Sequence, residues 1–175
     1  MRKGAIIFST KYGSTAQYAS WIGEATALPV FDIEDDDVPL SDYDFLVIGS
    51  PIIYHKVHNW KWVRANLAEL EGKPIIFFTV SGAPAGAKLD GWIANSLPQD
   101  FIERMHHIVL RGRQNPRELS WWDRLMLIIG SMKNPDPVAS IEEREGFDFM
   151  DEASIEPIIR QVQRIRASSV ASNIS

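Results

Sequence analysis

The 175-residue chain contains no cysteine. That single absence removes thiol nucleophiles, thiolate zinc sites, iron–sulfur ligation, disulfides and dithiol redox chemistry together. Any redox work then needs a bound organic cofactor or a metal held by oxygen and nitrogen. Long hydrophobic runs are also missing, since no stretch approaches the roughly 20 apolar residues of a spanning helix. The start, Met1-Arg2-Lys3-Gly4 and a short apolar run to Phe8, lacks the apolar core of a secretory signal. A cytoplasmic location is expected, with peripheral contact at the inner face of the cell membrane left open. Positive charge is scarce, 18 Lys and Arg against 23 Asp and Glu, for a net charge of −5. Nucleic acid is therefore not expected as a partner, because phosphate backbones call for a dense basic surface. The four histidines fall as His55 and His58 in one segment and His106-His107 in another. Neither pair has a third ligand in view, so no metal site is expected.

What is present is an alternation of short apolar runs with amphipathic stretches. Gly4–Phe8 reads as a strand buried on both faces, and Thr15–Ala27 as a helix with Ala16, Ala19, Trp21, Ile22 and Ala25 on its apolar stripe. Pro29–Ile33 is a second strand, followed by a polar connection through Asp35-Asp36-Asp37 and Ser41-Asp42 with no room for a crossover helix. The three aspartates suit a solvated turn or an acidic patch for a protein partner. Asp44–Ile48 is the third strand. Asn59 is placed to cap a helix reaching Leu70, closed by Gly72 and Pro74. Pro74–Val80 is the fourth strand, a helix starts near Leu89, and Ile108–Leu110 is the fifth strand. Ser154–Arg166 closes the chain as a helix with Pro157 in its first turn, and 168–175 reads as a frayed tail. The expected fold is α/β: one domain over 1–167 in three layers, a five-stranded parallel sheet between helices, with an insertion over about 112–149 after strand five. Ligands of such sheets bind beyond the C-terminal strand ends.

Three loops should meet there. The first, Ser9-Thr10-Lys11-Tyr12-Gly13-Ser14-Thr15, runs from a strand end into a helix N-terminus. Unpaired amides and the helix dipole favour an anion at such a place, and four serines and threonines and a glycine suit a phosphate monoester. An ordinary turn in which Ser14 or Thr15 caps the helix fits the same residues. The chain has no G-x-x-x-x-G-K-[ST] and no G-x-G-x-x-G run, which removes support for nucleoside triphosphates and dinucleotides. The second loop runs from Gly49 to Trp60 and carries Ser50-Pro51-Ile52-Ile53-Tyr54, an apolar and aromatic lining that suits a planar π-system. Ile53 and Tyr54 could equally pack on Trp60 or Trp62. The third, Ser81-Gly82-Ala83-Pro84-Ala85-Gly86, is small enough to let backbone amides approach a ligand, or to be merely a turn.

Phe8-Ser-Thr-Lys-Tyr-Gly-Ser-Thr15 resembles the phosphate-binding signature of flavodoxins, with Ser9, Thr10, Tyr12, Gly13, Ser14 and Thr15 on the binding positions. The resemblance implies a doubly wound sheet in the order 2-1-3-4-5 and a non-covalent FMN. It places Ser50, Pro51, Ile52, Ile53 and Tyr54 along the isoalloxazine ring, Ser81, Gly82 and Ala83 at its pyrimidine edge, and Lys11 within the phosphate loop. The insertion is similar to that of the flavodoxin-type, menaquinone-linked protoporphyrinogen dehydrogenases, in Leu110-Arg111, Ser120-Trp121-Trp122-Asp123-Arg124-Leu125-Met126, Ile128, Ile129 and Met132. The third loop is shorter than theirs and the insertion less basic. That likeness implies an FMN-dependent oxidoreductase taking electrons from a hydrophobic donor such as a porphyrinogen and passing them to a quinone. No side chain would be catalytic in itself. The alternative is a one-electron carrier between protein partners. Trp121, Trp122, Leu125, Ile128 and Ile129 beside Arg111, Arg113, Arg117, Arg124 and Lys133 suit an interfacial helix at an anionic bilayer, a cover for the sheet edge, or a dimer contact.

Overall fold

The structure, a computed structural model, describes residues 2–35, 37–115, 117–120, 123 and 146–171. Five parallel strands form the central sheet: β1 (Gly4–Phe8), β2 (Val30–Asp32), β3 (Phe45–Ile53), β5 (Ile75–Ser81) and β6 (Met105–Arg111), in the order β2-β1-β3-β5-β6. A short strand, β4 (Lys56–Val57), turns back antiparallel on the end of β3. With β4 set aside, this is the 2-1-3-4-5 order expected from the sequence.

Side-chain alternation along the inner strands divides the core in two. Ile6, Phe8, Val47, Ile76 and Phe78 face α1 (Ser14–Thr26) and the C-terminal helix α6 (Glu156–Ala171), meeting Tyr18, Ala19, Ile22, Ile158 and Val162. Ala5, Ile7, Leu46, Ile48, Ile75 and Phe77 face the other way. They meet α2 (Trp60–Ala65), α3 (Leu67–Leu70), α4 (Ala87–Ser96) and α5 (Gln99–Arg104) through Val63, Leu70, Leu89, Ile93 and Phe101. Burial on both faces is why these strands read as unbroken apolar runs. Two glycines answer two phenylalanines in register: Gly4 lies opposite Phe45, and Gly49 opposite Phe78. Each ring crosses the neighbouring glycine's Cα, so a Cβ on either glycine would fall 2.2 Å from ring carbon.

Several boundaries move. β3 runs to Ile53 instead of Ile48 because its end pairs with β4, which turns the expected second loop into a hairpin. The helix expected over 59–70 breaks at Asn66, whose side-chain amide donates to Trp62 O at 2.8 Å and competes with the helical ladder. β6 begins at Met105 instead of Ile108, since pairing with β5 recruits His106 and His107 regardless of their propensity. The closing helix extends to Ala171, so 168–171 are helical and only 172–175 of the expected tail lie outside the described residues. In the insertion, β7 (Arg113–Gln114) pairs with β8 (Phe147–Asp148). The amphipathic stretch expected over 120–132, including Trp121, Trp122, Leu125, Ile128 and Ile129, lies outside the described residues except for Ser120 and Asp123. Among the described residues, no helix is long and apolar enough to cross a membrane.

Gly49→Ala should cost about 1–3 kcal/mol of unfolding free energy, because the Phe78 ring fills the space a methyl group needs. Urea denaturation of both proteins measures it.

Candidate functional site

β1 and β3 end side by side, joined by a last backbone bond from Ser9 N to Gly49 O at 3.1 Å. Beyond it, α1 leaves over one face and the β3–β4 hairpin continues from the other strand, at the switch point where open sheets of this kind have their binding crevice.

The turn into α1 is shaped for an anion. Gly13 stands at the N-cap with φ 85°, a left-handed conformation glycine adopts without strain, and a Cβ there would meet nothing within 4 Å. Thr10 Oγ1 accepts from Gly13 N at 3.1 Å, which leaves its own proton free to donate. No side chain caps α1, so the capping role open to Ser14 or Thr15 is taken by neither. Ser9 Oγ and Thr15 Oγ1 are buried with no hydrogen-bond partner among the described residues. Ser14 differs from them: its hydroxyl accepts from Arg113 N at 3.2 Å and lies 3.4 Å from Arg113 O, tying the loop to the start of the insertion.

The second segment is more rigid than a loop. Ser50 and Pro51 belong to β3, with Ser50 Oγ accepting from Asn59 N at 3.2 Å and Pro51 O from His58 N at 3.0 Å. Asn59 precedes α2, yet its side-chain amide donates to Gly49 O at 3.2 Å instead of capping the helix. Ile52 packs against the core, and Ile53 is half-buried. Tyr54 and His55 form the two-residue turn, both with positive φ, 50° and 61°. Such turns favour Asn-Gly, so side chains of this size mark local strain. His55 stacks on Trp92 at 4.7 Å, whereas Tyr54 is 53 % exposed and closes no core.

The third loop is covered. Arg111 donates to Gly82 O at 2.7 Å and lies 3.6 Å over the Phe149 ring, while Phe147 crosses Gly82 closely enough to exclude a Cβ. Ala83 N donates to Ser81 Oγ at 3.2 Å, an internal use of an amide expected to face a ligand. Gly112 sits between Val80 and Ser14 and links this loop to the first.

Asp123 was not singled out by the sequence as a site residue, yet it joins the first two segments. Lys11 Nζ lies 2.7 Å from its Oδ2 and 2.9 Å from its Oδ1, and both the Tyr12 and Tyr54 hydroxyls donate to the same carboxylate. The available signal was its position as the acidic residue between Glu118 and Asp136 in an apolar, basic run. Among the described residues, no group of three His, Asp or Glu gathers as for a metal.

The flavodoxin domain profile matches residues 5–135, about three quarters of the chain and all three loops. The chain belongs to the flavodoxin domain family. No curated protein sequence matches it significantly. Three solved structures similar to this flavodoxin domain are a flavoprotein in complex with FMN from Lactobacillus acidophilus, a flavodoxin bound to flavin mononucleotide from Fusobacterium nucleatum, and an NADPH-quinone reductase from P. pentosaceus. The first is 14 % identical with a TM-score of 0.46, covering 63 % of this chain and 93 % of its own. For the second the values are 14 %, 0.45, 66 % and 72 %, and for the third 13 %, 0.43, 74 % and 95 %. Overlaps of this size leave the family match and the site geometry to carry the assignment.

Two histidines of the flavodoxin domain are held below their ordinary pKa. For His58 the cause is burial, with Glu34 at 3.9 Å opposing and Lys11 adding to the fall. For His107, which shares a 2.9 Å hydrogen bond with Thr79, burial is again first, Asp90 opposes and His106 adds. A lowered folded-state pKa means that the unfolded chain binds the proton more readily. The stability His107 contributes is thus complete above the ordinary value of 6.5 and is lost as pH falls below it. Melting curves from about pH 7.5 to about pH 5 should show a smaller acid loss in His107→Gln than in the parent.

Proposed function

We propose that this chain binds FMN non-covalently and passes electrons through it. One observation carries the reading: two buried hydroxyls, Ser9 Oγ and Thr15 Oγ1, stand without partners among the described residues, beside the open face of Gly13 at the start of α1. Burying a hydroxyl unpaired costs free energy, so a pair of them at a strand–helix turn suits an absent acceptor. A phosphate monoester is such an acceptor, and the first-turn amides and helix dipole favour its charge.

Ser9, Thr10, Gly13 and Thr15 would hold that phosphate, with Ser14 bracing the loop through Arg113. The ring would lie toward the β3–β4 hairpin, where Ile52 and Ile53 offer apolar surface and Tyr54 an exposed aromatic face. These residues would orient the ring and exclude water from part of it. When bound, the flavin supplies a centre that takes up and releases electrons, and the protein tunes it by position, shielding and hydrogen bonds. The Ser81-Gly82-Ala83 loop is assigned to the same end of the sheet, as a support braced by Arg111 and Phe147.

For the reaction itself, we assign a hydrophobic donor, protoporphyrinogen or a similar molecule, and a quinone acceptor. The support is the resemblance of the insertion, and Trp121, Trp122, Leu125, Ile128 and Ile129 would supply a peripheral membrane contact near a lipid quinone. A one-electron carrier serving a redox partner protein is the second reading. The exposure of Tyr54 favours it, since an uncovered ring edge suits a docked protein.

In titrations the protein should bind FMN and should bind riboflavin, which lacks the phosphate, far more weakly. Ser9→Ala and Thr15→Val should each lower FMN affinity about tenfold or more while leaving the unliganded protein at least as stable. Absence of FMN binding by the parent protein overturns the reading. Oxidation of protoporphyrinogen with quinone reduction supports the enzyme. Binding of FMN without either activity favours the carrier.

A further inference from the structure

We infer that Asp123, carried by the insertion, is the positioning residue that locks the two flavin-facing segments together; this rests on the FMN reading above. Its carboxylate receives hydroxyl protons from Tyr12 in the first loop, from Tyr54 at the hairpin tip and from Ser120 at 2.8 Å, and an ammonium proton from Lys11. An ionised carboxylate offers about four acceptor sites, so this set of donors saturates it. Asp123 is only 9 % exposed, and the Lys11 ammonium pairs with its carboxylate. A buried carboxylate so fully paired is stable only with its partners in place, since removal of one leaves an uncompensated charge.

The partners come from distant parts of the chain. Lys11 and Tyr12 follow β1, Tyr54 tips the β3–β4 hairpin, and Asp123 lies 69 residues beyond Tyr54 and 111 beyond Tyr12. These are the two segments between which the switch-point crevice opens. The hairpin needs such a partner, because Tyr54 and His55 both hold left-handed backbone, which is strained for side chains of their size. A tyrosine at that tip pointing into solvent would relax, whereas one bound to Asp123 holds its ring in place. Lys11 adds a second consequence. Its ammonium lies 5.5 Å from the Tyr12 ring and 5.3 Å from the Tyr54 ring, so the cation faces the same aromatic pair. Asp123 therefore sets both where these rings stand and how much positive charge they and the flavin experience.

The test uses the full chain with Asp123→Asn, Tyr54→Phe and the double variant. FMN dissociation constants, thermal unfolding of the unliganded proteins and the midpoint potential of bound FMN are measured. Each single change should weaken FMN about tenfold, mainly through faster release, and the double variant should be little weaker than either. Asp123→Asn should also raise the midpoint potential, because Lys11 loses its counter-charge. Parental affinity in both single variants, multiplied effects in the double, or an unchanged potential in Asp123→Asn overturns the inference. Tyr54→Phe probes the link from an exposed position, so a folding defect in Asp123→Asn leaves the question decidable. If the parent protein itself ignores FMN, the flavin reading fails; if it binds and the variants match it, only the role of Asp123 fails.

Discussion

The bond from Ser9 N to Gly49 O is the last rung between β1 and β3, and past it the chain parts to opposite faces of the sheet. Parallel strands with helices on both faces leave such a gap wherever the winding reverses. Here the reversal falls between β1 and β3, where Ala5, Ile6, Ile7 and Phe45, Leu46, Val47 and Ile48 are fully buried. Gly4 and Gly49 hold that geometry by admitting the rings of Phe45 and Phe78 across their backbones. The rigidity of the sheet under the crevice is what allows its rim to carry strained and unsatisfied groups.

Those groups are of two kinds. Around Gly13, the buried hydroxyls of Ser9 and Thr15 have no partner among the described residues, a cost that a bound anion would offset. At the hairpin, the strain at Tyr54 and His55 is carried by side chains bonded elsewhere, to Asp123 and against Trp92. Both features sit on the C-terminal side of the sheet, while the opposite side consists of ordinary connections such as Leu40–Asp42. Concentrating polar debt at one end is how a stable fold hosts a site.

The insertion serves that end twice. Residues near its two ends form β7 and β8, Phe147 covers Gly82, and Arg111 reaches from the Gly82 carbonyl to the Phe149 ring. Its middle sends Asp123 back to the first loop and the hairpin. A segment that departs from the flavodoxin core is thus connected to each of the three loops, through Arg113 to Ser14, through Asp123 to Tyr12 and Tyr54, and through Phe147 to Gly82.

Much of the fold was legible in the chain. Strict apolar runs such as GAIIF and PIIFFTV reveal strands buried on both faces, and the glycine and hydroxyl residues after Phe8 mark the turn from strand to helix, because both depend on local residue type. The absence of cysteine settled which chemistries were closed. Pairing partners are another matter. That β3 continues to Ile53, that β6 recruits His106 and His107, and that Asn59 serves Gly49 instead of its helix all depend on neighbours far along the chain. Asp123 makes the point most sharply: by sequence it is a polar residue in an apolar run, and only folding brings two tyrosines and a lysine to its carboxylate. Composition and periodicity report what each residue prefers, whereas long-range contact decides which preference is met.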